Sequence, residues 1–331
     1  MNGFNSTDSL KVAVIQHAPV FLNIEHSVAK ACDLIEEAAA QGAKVIAFPE
    51  TWLPGYPVWL DVSPNAAVWD YAPAKALYRV LADNSVSVAD RHLHRLLDVA
   101  GRTATYVVIG AHERLGGSLY NTMIYLHRDG RGYALHRKLM PTYSERMVWG
   151  RGDGSTLSVL STEYGNVGGL ICWEHWMPLA RAAMHAKGEV IHVAQWPAVK
   201  DLHQLASRHY AFEGQCFVLA AGSVLSRGEV MKGYSSLSLS RGEALELLEA
   251  IPGEDEDLVL GGGSAVIGPD GSYVAGPVLE ERCTLYAEID LGRVREGQLV
   301  LDTSGHYARP DVFRLVVNDE PQVGVVFRSE R

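Results

Sequence analysis

Three ionisable residues stand where apolar runs stop. Glu50 follows residues 44–48 and Pro49, Lys138 follows residues 133–137, and Cys172 follows residues 167–171. Each run reads as a buried strand, and the carboxyl ends of strands are where α/β proteins gather their sites. A thiol beside a carboxylate base is an activated nucleophile. A lysine ammonium can hold negative charge that develops on an attacked atom. Glu145 and Glu174 lie close by in sequence and could orient the lysine or share its charge. Such a set suits addition to an electrophilic carbon bearing nitrogen, followed by covalent acyl transfer. His175 is an alternative base for the thiol. Taken singly, each residue also reads as a solvated charge, a structural ion pair or a buried core cysteine. Three at strand ends favour chemistry.

The cysteine's surroundings sharpen that reading. After Cys172 come Trp173, Glu174, His175 and Trp176, and Pro178 then opens a helical pattern that Gly188 stops. A cysteine on a strand-to-helix turn is pushed out of the sheet, as serine is at a nucleophile elbow. A helix starting nearby would favour the thiolate.

The elements that must carry these groups alternate. Strands are expected at residues 11–17, 44–48, 105–112, 167–171, 189–195, 216–221 and 283–290. Helices are expected over 24–40, 74–100 and 201–215, with another at 242–250. Two hairpins turn at Asp129-Gly130 and Asp270-Gly271, and residues 157–160 are expected to pair with 167–171. Two related α/β halves follow, each with a mixed sheet, and no low-complexity linker divides them. Residues 51–69 carry Trp52, Tyr56, Trp59 and Trp69 among three prolines, too broken for a long helix. They read as a pocket wall beside Glu50. Trp196, at the end of residues 189–195, is a further pocket ring or else a core tryptophan.

Composition excludes several classes. The 331 residues are 47% hydrophobic, enough for a large core. The net charge of −10, with no basic stripe, argues against nucleic acid. No apolar run is long enough to span a bilayer, and the first residues show no signal core, so a cytoplasmic protein is expected. The four cysteines (Cys32, Cys172, Cys216, Cys283) form no Cys-x-x-Cys pair and read as free thiols. A zinc site from Cys172, His175, His185 and His192 is a weak alternative, and neither metal nor cofactor is expected.

The motifs resemble those of the nitrilase superfamily over about residues 11–312. Phe48-Pro49-Glu50-Thr51 looks like the family's glutamate motif. His136-Arg137-Lys138-Leu139-Met140-Pro141-Thr142 looks like its lysine motif, with Glu145 following in Tyr143-Ser144-Glu145-Arg146. Gly169-Leu170-Ile171-Cys172-Trp173-Glu174-His175 looks like its cysteine motif. The Cys-Trp-Glu form resembles the true nitrilases, where amidase and carbamoylase branches usually carry Cys-Tyr-Asp. The segments around Trp52-Leu53-Pro54-Gly55 and Ser304-Gly305-His306-Tyr307 agree with that branch.

The resemblance implies an α/β fold, a four-layer α-β-β-α sandwich with two mixed sheets and helices outside. It implies Glu50 as general base, Lys138 as charge stabiliser, Glu145 as positioning residue and Cys172 as nucleophile. Trp173, Glu174, Tyr56, Trp59 and Trp196 are then candidate substrate contacts. The implied reaction is hydrolysis of a small organic nitrile to acid and ammonia. Cyanide hydrolysis, amidase or carbamoylase activity, and an inactive binding protein are the alternatives. Residues 1–10 are expected as a flexible tail, 11–312 as a single domain and 313–331 as a tail at a subunit interface. A homodimer or larger homo-oligomer is implied, without nucleic acid or membrane.

Overall fold

The computed structural model describes residues 9–88, 90–239 and 242–325. The expected N-terminal tail lies almost wholly outside these residues, as does the end of the C-terminal one. Thirteen strands are described: β1 (Ser9–Ile15), β2 (Val45–Ala47), β3 (Tyr106–Leu115), β4 (Ser118–Leu126), β5 (Tyr133–Arg137), β6 (Leu160–Thr162), β7 (Gly165–Ile171), β8 (Glu189–Gln195), β9 (Phe217–Ala221), β10 (Val224–Ser226), β11 (Leu258–Ile267), β12 (Tyr273–Leu279) and β13 (Thr284–Asp290). The helices are α1 (Ile24–Ala40), α2 (Trp59–Val62), α3 (Ala72–Asp83), α4 (Arg91–Thr103), α5 (Pro178–His185), α6 (Asp201–Gly214), α7 (Arg227–Ser235), α8 (Glu243–Glu249) and α9 (Gly292–Gln298).

Two sheets form, one in the order β13-β1-β2-β3-β4-β5 and one in the order β10-β11-β9-β8-β7-β6 with β12 on β11. The halves share a wiring. β1, β2 and β3 run parallel, then β4 and β5 return antiparallel. In the second half β7, β8 and β9 run parallel, then β11 and β12 return antiparallel. An outside strand closes each set, β13 against β1 and β6 against β7.

Alternation along the strands sorts the layers. Ala13, Ile15, Ile46, Phe48, Val107 and Ile109 pack with Val28, Ala31 and Ile35 of α1 and Leu93, Leu96 and Val99 of α4. The opposite face supplies Val12, Val14, Val45, Ala47, Tyr106 and Val108, which pack with Val167, Val193 and Leu219 of the second sheet. Ala183 and Met184 of α5 and Ala206 and Tyr210 of α6 belong to that same cluster. The architecture is the α-β-β-α sandwich that the resemblance implied.

Local chemistry explains the departures from the sequence reading. The helix expected over 74–100 is two helices: α3 ends at Asn84, Val86 bridges to Glu113, and Asp90 starts α4 by accepting from the His92 and Leu93 amides. The pairing expected for 157–160 starts only at Leu160, opposite Val167. Ser226 caps α7 together with Glu229 in a capping box, a helix start absent from the sequence reading. A 3-10 turn, Cys172–Trp176, separates β7 from α5.

Strand β3 carries a glycine where Glu50 is held. A Cβ at Gly110 would stand 2.4 Å from both the Pro49 oxygen and the Thr51 nitrogen. Those atoms are backbone and cannot swing aside. Gly110→Ala is therefore expected to cost about 1–3 kcal/mol, read from denaturant unfolding.

Candidate active site

The three strand ends converge. Glu50 lies three residues past β2, Lys138 follows β5 and Cys172 follows β7. The carboxyl ends of β2 and β8 are tied across the sheets: Gln195 Nε2 donates to the Phe48 oxygen at 2.9 Å, and the Glu50 amide to the Trp196 oxygen at 3.3 Å. Lys138 Nζ donates to Glu50 Oε1 at 2.9 Å and to Glu145 Oε2 at 2.7 Å. Donor atoms of Glu50, Glu145 and Cys172 lie within 4.8 Å of one another. Such a set could draw a cation, and here the lysine ammonium bridges both carboxylates. Among the described residues, the Cys172, His175, His185 and His192 set does not form a metal cluster.

Further donors surround the carboxylates. Asn121 Nδ2 donates to Glu50 Oε1 at 2.6 Å, the Tyr56 hydroxyl to Glu145 Oε1 at 3.1 Å, and the Thr142 amide to Glu145 Oε2 at 2.6 Å. Lys138 Nζ lies 5.8 Å from the Trp149 ring centre. That ring is fixed by its indole N–H, which donates to His112 Nδ1 at 3.0 Å, while His112 Nε2 donates to the Gly55 oxygen at 2.9 Å. Burial lowers His112 to about 4, so it stays neutral in this role. Glu50 Oε2 is buried without a hydrogen bond.

Burial and charge set the protonation states. Burial raises Glu50 to about 7; Lys138 opposes that rise and Glu145 adds to it. Burial works against the Lys138 ammonium, but Glu50, Cys172 and Glu145 outweigh it and raise its pKa. Burial, then Glu50, hold the Cys172 thiol well above its ordinary value, against Lys138 and the Trp173 N–H. The thiolate expected from a nearby helix start is thus overturned: desolvation outweighs the turn's N–H. The thiol rests protonated and needs a base.

The backbone is strained where the chemistry sits. Cys172 has φ +54°, Thr51 +41° and Tyr143 +44°, left-handed values that are uncommon for residues other than glycine. For Cys172 this is the elbow geometry expected of its turn.

A cavity of about 400 Å³ opens over the thiol, lined by Tyr56, Glu145, Cys172, Trp173, His203 and Leu260 among others. Tyr56 and Trp173 therefore sit where substrate contacts were expected. Three expected contacts lie elsewhere. Trp59 packs edge-on against Phe21 and lines a separate cavity of about 480 Å³. Trp196 is fully buried, stacked between His175 and His203, with its N–H on the Ser207 hydroxyl. Glu174 is a brace, as its carboxylate accepts from the Leu139 amide, the Ile171 amide and His136, at 2.7, 2.7 and 2.9 Å. It joins the residue after Lys138 to the residue before Cys172. His175, the alternative base, has both ring nitrogens taken, by the Cys172 oxygen and by His192.

Sequence reading missed Asn121, His112 and Trp149. Asn121 was visible as a polar residue inside the apolar run of β4.

This strand order, with a cysteine, a lysine and two glutamates at one end of paired sheets, defines an α-β-β-α sandwich with a buried thiol beside ionisable groups. The profile of the carbon-nitrogen hydrolase family matches residues 11–298. The chain belongs to that family. It is 38% identical to an aliphatic nitrilase of Sinorhizobium fredii (strain HH103), over 96% of this chain and 99% of the relative. It is 39% identical to a nitrilase of Pseudomonas syringae pv. syringae (strain B728a), over 96% and 93%. It is 36% identical to a bifunctional nitrilase/nitrile hydratase of Lupinus angustifolius, over 97% and 89%. Among solved structures, an amidase from Nesterenkonia sp. shares the fold with a TM-score of 0.63 at 18% identity, over 87% of this chain and 92% of that one. Among the described residues no helix is long and apolar enough to cross a membrane.

Glu174→Ala strands the paired His136 and frees two backbone amides. It is expected to cost about 3–5 kcal/mol of stability, seen as an early unfolding transition in denaturant.

Proposed function

We propose that the chain is a nitrilase, converting a small organic nitrile to the carboxylic acid and ammonia. The observation that carries this reading is a buried Glu50–Lys138–Glu145 line within reach of the Cys172 thiol, at the edge of a cavity. Relatives of 36–39% identity named nitrilases support it.

Glu50 takes the thiol proton and Cys172 Sγ bonds to the nitrile carbon. Lys138 and the Trp173 N–H stabilise charge on the nitrile nitrogen, which becomes protonated in a thioimidate. Water activated by Glu50 adds, ammonia leaves and a thioester remains. A second water releases the acid and returns the thiol. Glu145 holds Lys138 throughout, and Tyr56 holds Glu145. If the tetrahedral intermediate expels sulfur instead, an amide is released. The Lupinus relative's name, nitrilase/nitrile hydratase, favours looking for that second product.

Residues 11–312 form one hydrolase domain in this reading, with 313–331 at a subunit interface of a cytoplasmic homodimer or larger oligomer. Exposed Leu179 on α5 and Leu202, Leu205 and Phe212 on α6 support self-association.

Ammonia release from nitriles, matching amides and cyanide tests the reading. Cys172→Ala and Glu50→Gln should each abolish release while the fold survives, and Lys138→Ala should lose release and stability together because it leaves two buried carboxylates unpaired; each removes a group worth on the order of a hundredfold or more. Release that persists in Cys172→Ala would refute the mechanism. The base must be ionised to act, and Glu50 titrates at about 7. kcat/KM should therefore fall as pH drops through about 7.

A further inference from the structure

A line of buried polar side chains leads to the nucleophile's own carbonyl, and the reaction above does not use it. The Tyr210 hydroxyl donates to Glu189 Oε2. Glu189 Oε1 lies 2.9 Å from His192 Nδ1, His192 Nε2 lies 3.0 Å from His175 Nε2, and His175 Nδ1 lies 2.7 Å from the Cys172 oxygen. None of the four side chains belongs to a residue more than 4% exposed. The rings are fixed by packing, His192 stacked on Tyr210 and His175 on Trp196. The sheet makes room for the carboxyl group: a Cβ on Gly168 would come 1.8 Å from Glu189 Oε1.

Proton counting along the line leaves little freedom. A carbonyl oxygen only accepts, so His175 Nδ1 carries a hydrogen. A neutral imidazole has one N–H, so His175 Nε2 accepts and His192 Nε2 donates. His192 Nδ1 then accepts, and Glu189 must be protonated to fill the last contact. A carboxylate facing a doubly protonated His192 holds the same number of protons. If one proton leaves, the carboxylate draws the His192 hydrogen to Nδ1. His175 must then donate from Nε2, and its Nδ1 faces the Cys172 oxygen as a second acceptor. The bond at the nucleophile is lost.

That carbonyl shares a peptide with the Trp173 N–H, which favours the Cys172 thiolate against burial. Hydrogen bonds at the two ends of a peptide strengthen each other. We propose that Tyr210, Glu189, His192 and His175 are positioning residues: protonated, the line polarises the Cys172–Trp173 peptide and strengthens the N–H facing the sulfur and the developing charge. The proposal rests on Cys172 being the nucleophile.

The surrounding charges are consistent. Burial lowers both His175 and His192 well below the usual range and raises Glu189 to about 7, placing the loss of the proton there. Glu174 and His203 act on His175. His185, Glu174 and His136 act on His192, and His185 and His136 also act on Glu189. Glu189 and Cys216 face Tyr210, as does Tyr125, and burial keeps both tyrosines and that cysteine neutral. His136 is opposed by burial but raised overall by Glu174, so it too gains a charge as pH falls. Comparison with a Glu189 variant cancels its contribution.

Glu189→Gln supplies a fixed donor to His192 and keeps an acceptor for Tyr210 at every pH. The rate of Cys172 alkylation by iodoacetamide, followed by mass spectrometry of its peptide, reads the sulfur's donor without any substrate. The variant and the natural chain should match in mild acid. The variant should then gain about twofold, the cooperative fraction of one charge-assisted hydrogen bond, as pH rises through about 7. Tyr210→Phe removes a donor that favours the carboxylate and should move the divergence to higher pH. It serves alone if Glu189→Gln does not fold. Superimposable alkylation profiles, or a Tyr210→Phe midpoint that does not move, would overturn the relay. Failure on every nitrile with the divergence intact would instead remove the nitrilase reading and leave the relay standing.

Discussion

One buried ammonium holds the centre of this protein together. Lys138 is surrounded by protein and bonded to Glu50 and Glu145. Alone it would be very costly to bury, and its partners offset that cost only because the contacts are short and direct. Two carboxylates share one cation, however, so the cluster keeps an excess of negative charge. That excess explains the neighbourhood. Asn121, Tyr56 and the Thr142 amide all point hydrogens at the carboxylates. Burial, with that excess added to it, explains why Glu50 ionises reluctantly and why the Cys172 thiol keeps its proton.

The sandwich delivers the cluster's members from separate strands and then locks the strand ends. Gln195 and Trp196 tie the second sheet to the Glu50 turn. Glu174 ties the lysine loop to the cysteine loop, with His136 as its counter-charge. The two halves have the same strand wiring but different cargo, since Glu50, Lys138 and Glu145 come before β6 and Cys172 after β7. The working site is a property of the seam between them.

Much of this was legible because the strands announce themselves. Short apolar runs ending in Glu50, Lys138 and Cys172 gave both the elements and the residues that they carry. What could not be read was what each flanking residue touches. Glu174 and Trp196 have the composition of a pocket wall, yet their polar atoms are claimed by backbone and by Ser207. Trp59 faces a neighbouring cavity because α2 turns it toward Phe21. Asn121 and His112 sit mid-strand, where period-two alternation gives a face but no partner. The thiol's protonation state depended on a balance of burial against a single N–H, which spacing cannot weigh.

A cysteine kept as a neutral thiol, 3% exposed, is also shielded from air. Oxidation by peroxide or a disulfide begins with attack by a thiolate that solvent can reach. In the proposed reaction Cys172 becomes a thiolate when Glu50 removes its proton. Cys32 and Cys283 are more accessible, so oxidative damage should spend itself there first. The same desolvation that makes the sulfur slow to ionise makes the resting protein durable.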